Sequence, residues 1–375
     1  MKSQKLPLLV LVLFPAAVPA FAELTLPPSG DNQRATVTQQ IGPVVVSVEY
    51  SSPRVTLKGD NRRGKIWGQL VPYGLTKLAP DCPQCPWRAG ANENTIFTAS
   101  RDVKVQGQTL PAGKYGLHMM PGKEQFTVIF SKNSTAWGSY SYDAKEDALR
   151  VTTKPVKADY HEWLTYEFIE REPAKATVAL VWEDLQIPLT ISVDNAPALY
   201  CAAMHDDLRG STGFDWHNVQ RAADYCVRNK VNLQEAMTWA NRASTPSLGG
   251  DENVATLMSL SRAQAANGQS AEASKTFERA LASPAAKPID FHVAGRALLA
   301  EGKNEQAMKI FQINAKRFPN QWPVHVGLMR GYAATGDKAK ALEEGRLAVK
   351  QAPDDGNRLN LENALKAIEA GRKID

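Results

Sequence analysis

The chain has 375 residues, 43% of them hydrophobic and 22% charged, with 44 Lys and Arg against 39 Asp and Glu. A length of this order predicts about two domains. The net charge of +5, which falls to +3 once Lys2 and Lys5 are removed, is too mild to mark a nucleic-acid binder.

In chain order, Lys2 and Lys5 precede an apolar run from Leu8 to Val18, and Ala20-Phe21-Ala22 has the small–x–small form that signal peptidase needs. Residues 1–22 therefore read as a signal peptide cleaved after Ala22. The run is too short for a membrane anchor, and no other stretch is long and apolar enough for a membrane span. No cysteine follows the cleavage site, so a lipid-modified N-terminus is not expected. The reading is a periplasmic or secreted soluble protein.

The composition then changes partway. Residues 30–195 are rich in Val, Thr, Tyr, Trp and Pro, and residues 215–375 in Ala, Leu, Lys, Glu and Asn, with the break near Asn195-Ala196-Pro197. The first set favours strands and the second helices. The expected organisation is an all-β domain over 23–195, a linker over 196–214 and a helical repeat domain over 215–375. Strand patterns are seen at 44–50, 103–105, 114–120, 125–131, 148–153, 163–170, 176–183 and 187–194, punctuated by turn signals such as Pro121-Gly122. Leu164, Tyr166 and Phe168 alternate with more polar neighbours, the mark of one buried face. A β-sandwich or barrel is the simplest product.

Several segments of this half carry a family resemblance. They include Tyr50-Ser51-Ser52-Pro53-Arg54, Lys65-Ile66-Trp67-Gly68, Leu70-Val71-Pro72-Tyr73-Gly74, Trp87-Arg88-Ala89-Gly90-Ala91-Asn92, Pro111-Ala112-Gly113-Lys114-Tyr115-Gly116-Leu117-His118 and Trp137-Gly138-Ser139-Tyr140. From Leu26 to about Asp194 the chain resembles the bacterial exported domain of unknown function 2911. The resemblance implies a compact all-β domain and no established activity. Leu75 to Pro86, which contains Cys82-Pro83-Gln84-Cys85, departs from the family pattern as an insertion.

The four cysteines lie in a chain read as exported, where disulfides are the default. Of three possible connectivities the local one, Cys82 with Cys85 and Cys201 with Cys226, is preferred. The Cys82–Cys85 spacing also occurs in redox and zinc motifs. Pro83 and Pro86 argue against the helix N-terminus a redox cysteine needs, and no second ligand pair follows for zinc.

Trp87, Arg88, Asn92 and Glu93 form a candidate small-ligand cluster. Arginine and asparagine donate hydrogen bonds to carboxylate, phosphate or sugar groups, and tryptophan offers a flat apolar wall. Arg–Trp stacking and Asn-capped turns also hold β domains together. His118 on a strand, and Trp137 in an aromatic strip, join the candidates; a lone histidine among apolar residues is more often a hydrogen-bonded core residue. No metal ligand spacing, nucleophile elbow or phosphate loop occurs, so neither a metal nor a cofactor is expected.

The helical half carries a 34-residue period. Gly268, Gly302 and Gly336 share it, as do Ala273, Ala307 and Ala341, and three units begin at Val254, Pro288 and Trp322. Phe277 and Phe311 fill a bulky place, whereas Gly345 and Asn314 depart from the pattern. The stretch 254–355 resembles tetratricopeptide repeats, which form an α-helical solenoid and usually bind protein or peptide segments. A degenerate earlier helix pair at 216–244 and a capping helix at 356–372 flank it. The resemblance puts the ninth position of each unit, Arg262, Arg296 and Arg330, on the concave wall, with Met258, His292 and Val326 one turn earlier. Arginine there suits an acidic peptide or a free carboxylate.

Two functions follow. The first is an exported binding or scaffold protein whose repeat groove recruits an acidic peptide or partner protein, with a β domain that is structural or binds a small ligand. The alternative is an exported enzyme, hydrolytic in type, acting at the Arg88, Asn92 and His118 region.

Overall fold

The computed structural model describes residues 31–374 apart from 58, 79 and 81. The expected signal peptide lies outside the described residues. The chain divides after Ser192 into two compact units.

The first unit is built from strands. Along the chain come β1 (Gln33–Ile41), β2 (Val44–Ser52), the two-residue β3 (Thr56–Leu57) and β4 (Asp60–Asn61), β5 (Thr95–Ala99) and β6 (Val103–Val105). They are followed by β7 (Gln108–Leu110), β8 (Gly113–Met120), β9 (Phe126–Ser131), β10 (Asp147–Thr153), β11 (Val156–Glu172) and β12 (Lys175–Ser192). One antiparallel sheet has the order β1-β2-β5-β8-β9-β10 and the other β11-β12-β6-β7. In β2 every second residue from Val44 to Tyr50 is buried, so a single face of the strand supplies the core. The rings of Tyr50 on β2 and Tyr166 on β11 meet at 4.9 Å, which places the core between the two sheets.

Two strands expected separately, 176–183 and 187–194, are one. Glu183 adopts a left-handed conformation (φ 58°) where the β11–β12 register shifts. That bulge bends β12 without ending it. The polar strand β1 was not anticipated, because Gln stands on both of its faces and hides its alternation.

The second unit is helical. Its elements are α1 (Ala196–Leu208), α2 (Trp216–Arg228), α3 (Leu233–Ala243), α4 (Val254–Ala266) and α5 (Ser270–Ala282). There follow α6 (Pro288–Ala300), α7 (Asn304–Arg317), α8 (Trp322–Thr335), α9 (Lys338–Lys350) and α10 (Asp355–Glu369). Residues 196–214 are thus not a plain linker. Asn195 caps α1 through its side chain, and the Cys201–Cys226 disulfide fastens α1 to α2. The other bridge joins Cys82 to Cys85.

Helices α4, α6 and α8 start at the three predicted unit boundaries. Gly268, Gly302 and Gly336 turn the chain between the two helices of each pair at φ 74–88°, a region that costs other residues energy. The result is a solenoid of tetratricopeptide-type helix pairs. Phe311 of α7 is fully buried, and a Cβ added at Gly295, Gly327 or Gly331 would run into its ring or the neighbouring Met308. Both departures from the repeat pattern have physical reasons. A side chain at Gly345 would strike Leu365 of the capping helix α10 and Met329. Asn314 is buried and donates from Nδ2 to the Pro288 carbonyl at 2.9 Å.

Candidate functional site

In the β unit the predicted cluster is assembled, but largely as structure. Trp87 bridges to Met119 on β8 with two 2.7 Å backbone hydrogen bonds. Its ring packs with Trp67 (5.7 Å) and Trp182 (6.3 Å) in an aromatic core. The Arg88 guanidinium donates to the Asn92 carbonyl and lies over the Tyr140 ring at 5.0 Å. A Cβ on Gly138 would collide with it. Glu93 pairs with Arg34 at 3.2 Å and accepts a hydrogen bond from Ser51.

His118 is only 2% exposed, and its Nδ1 lies 2.9 Å from the fully buried Ser139 Oγ. Burial, assisted by the nearby Arg88 charge, lowers the imidazole pKa to about 4. Arg88, Asn92 and His118 therefore come together around the loop carrying Gly138, Ser139 and Tyr140, and the imidazole is closed off from solvent. Of the predicted cluster, Trp137 projects into solvent, 56% exposed. Ser139 was visible in sequence only as one of several serines. No local signal marks it as the partner of His118, which sits on a different segment.

The helical unit changes the arginine ladder. Arg262 donates from Nη2 to Asp224 Oδ1 at 2.8 Å and sits 3.7 Å from Glu301, with its side chain 17% exposed. Asp224 belongs to α2, one repeat earlier, and also accepts from Ser259. Arg262 is thus an interhelical tie and not an open groove residue. Met258, His292 and Val326 are likewise not groove surface; they are 4%, 8% and 5% exposed and pack among the helices. His292 lies 6.3 Å ring to ring from Phe311. Burial, then the charges of Arg330 and Arg296, lower its pKa to about 4.

Arg296 and Arg330 instead line a cleft of about 660 Å³. Lys338, Arg372 and Lys373 supply further positive charge there, and no acidic residue is among the described residues that line it. Leu299, Ala333, Ile368 and Ile374 give the cleft its apolar surface. On α6 the exposed residues Ile289, Val293, Arg296 and Ala300 fall at helical spacing along one face. An apolar stripe therefore leads into the basic cleft. Lys338, Arg372 and Lys373 lie outside the 34-residue phase, so the period could not reveal them. Ile289 and Val293 could have been found by following the α6 face through Arg296. Among the described residues no cluster of His, Cys, Asp or Glu could hold a metal ion, and no helix is long and apolar enough to cross a membrane.

Residues 32–191 match the family described as protein of unknown function DUF2911. No curated protein matches the chain. Among solved structures, the chain is similar to YrrB, described as a TPR protein with an unusual peptide-binding site, at 16% identity and a TM-score of 0.25. That match covers 46% of this chain and 86% of YrrB. It is also similar to MamA AMB-1, at 15% identity and a TM-score of 0.24, over 42% of this chain and 85% of MamA.

Proposed function

We propose that the protein is an exported scaffold whose helical unit recruits a partner protein through an acidic segment, with the β unit serving a structural role. The observation that carries this reading is the cleft lined by Arg296, Lys338, Arg372 and Lys373, with no acid among the described residues that line it, entered along the exposed apolar stripe of α6. A segment combining carboxylates with leucine-like side chains complements both parts. Guanidinium groups bind carboxylates through paired, charge-assisted hydrogen bonds, and burial of Ile289 and Val293 would add apolar contact. The two disulfides and the signal-like N-terminal sequence support an oxidising, exported setting.

The test is fluorescence anisotropy with a labelled twelve-residue peptide of alternating glutamate and leucine. Arg296→Ala with Arg372→Ala should weaken binding about tenfold or more, whereas Arg262→Ala should leave affinity within about twofold, since its charge is committed to Asp224. Equal affinity for the wild type and the double variant would remove this reading.

A further inference from the structure

The loop between β9 and β10 holds two large aromatic side chains out in solvent. Trp137 is 56% exposed and Tyr140 44%. A loose loop would fold such rings away, but this one is fixed from below at three points. Gly138 has φ 62°, and a Cβ there would collide with the Arg88 guanidinium. Ser139 is fully buried, with its Oγ 2.9 Å from His118 Nδ1. The Tyr142 hydroxyl donates to Asp147 Oδ2 at 2.8 Å and accepts from Arg150 Nη2 at 2.8 Å. Arg88 also lies over the Tyr140 ring at 5.0 Å. The buried Gly138 and Ser139 stand between the two exposed rings in the chain, so the anchors set the positions of both. The rings are ordered before any ligand arrives, which removes that cost from binding.

The residues around the rings narrow the class of ligand. From Asn133 to Tyr142 the sequence holds no Leu, Ile, Val, Met or Phe, and Thr135 and Ser141, which flank the rings in the chain, are exposed. A lipid surface or an apolar protein patch is met by aliphatic side chains, and this stretch has none larger than alanine. Charge beside the loop is balanced, with Asp143 and Lys145 both exposed, and gives an anionic surface no net attraction. A pyranose ring with equatorial hydroxyls offers the complement. Its flat face of C–H groups, slightly positive, suits the negative face of an indole or phenol ring, and the hydroxyls at its rim suit serine and threonine.

We propose that Trp137 and Tyr140 form a carbohydrate-binding platform that takes chains of equatorially substituted pyranose. Ser139 is a positioning residue, and through His118 it holds both rings outward. The platform adds a ligand to a unit otherwise read as structural, and it is separate from the basic cleft of the helical unit.

The experiment titrates the protein with two hexasaccharides, cellohexaose and chitohexaose, by calorimetry, with acrylamide quenching of tryptophan emission alongside. Wild type should bind at least one of them, and the bound sugar should shield a tryptophan signal that is missing from Trp137→Phe. Trp137→Ala should weaken binding about tenfold and Tyr140→Ala about threefold or more. Ser139→Ala should weaken it about threefold although both rings remain, an effect on the folded protein that a role in stability alone would not produce. Tighter binding of chitohexaose would assign an N-acetylated chain and tighter binding of cellohexaose a plain one, and either supports the platform. If Ser139→Ala binds as wild type does, the positioning role is overturned. If wild type binds neither sugar, or Trp137→Ala binds as tightly as wild type, the platform is overturned and the exposed rings fall to a protein partner.

Discussion

His118 and His292 are two buried imidazoles held neutral by their surroundings, one in each unit. Each has its pKa lowered to about 4, first by burial and then by neighbouring arginines: Arg88 for His118, and Arg330 then Arg296 for His292. An unfolded histidine titrates near 6.5, so between about pH 6.5 and 4 the unfolded chain binds protons that the native one refuses. Stability therefore falls as pH drops through that window and levels off below about pH 4. Each residue contributes on the order of 3 kcal/mol to this loss. Urea titrations at pH 7 and pH 4.5 should show the decline, and His292→Gln should flatten it for the helical unit. An unchanged slope in that variant would mean that His292 is not the titrating group. Arg262 illustrates what sequence conceals at this scale. Its phase in the repeat was readable, but Asp224 reaches it from α2 through a non-local contact that no spacing encodes.

The elements that were legible are those with strong local signals. Gly268, Gly302 and Gly336 fix turns by backbone conformation, and the small positions Ala273, Ala307 and Ala341 recur because each is buried where its helix packs. Helix boundaries in the solenoid followed directly. Strand β1 was hidden by its Gln and Thr, and the continuity of β12 by the bulge at Glu183. Helix α1 was hidden by the turn-like Asn195-Ala196-Pro197, which is in fact its N-terminal cap and first turn. Because Cys201 sits on α1 and Cys226 on α2, their disulfide constrains a loop of about 25 residues in the unfolded chain. Removing such a link costs about 3 kcal/mol. The Cys201→Ser, Cys226→Ser variant should lose about that much in urea denaturation of the helical unit, while Cys82→Ser with Cys85→Ser should leave the helical transition in place.

At the scale of the whole molecule, charge is modest in sum and concentrated in place. The chain carries a formal net charge of only +5, yet five cations share one cleft. Long-range attraction from the rest of the protein is therefore weak, and affinity for an acidic segment should depend on local, screenable contacts. Raising salt from 50 to 500 mM shortens the screening length to a few ångströms and should weaken binding of the acidic peptide about tenfold. Salt-independent affinity would point to the apolar stripe of α6 as the main contact. The cleft was only half visible in the sequence. Arg296 and Arg330 lie on the repeat phase, whereas the C-terminal segment that faces them returns from beyond the last repeat and leaves no periodic trace.

Phe311 and the glycines at 295, 327 and 331 also limit how this solenoid can change over generations. A methyl group at any of the three positions meets the ring or Met308, and a smaller residue at 311 leaves an unfilled void. The order of substitutions therefore matters. Shrinking the phenylalanine first opens a passage to larger residues on the neighbouring helices, and enlarging a glycine first closes it. The four positions form one inherited unit, spread across three helices and tied by a single ring.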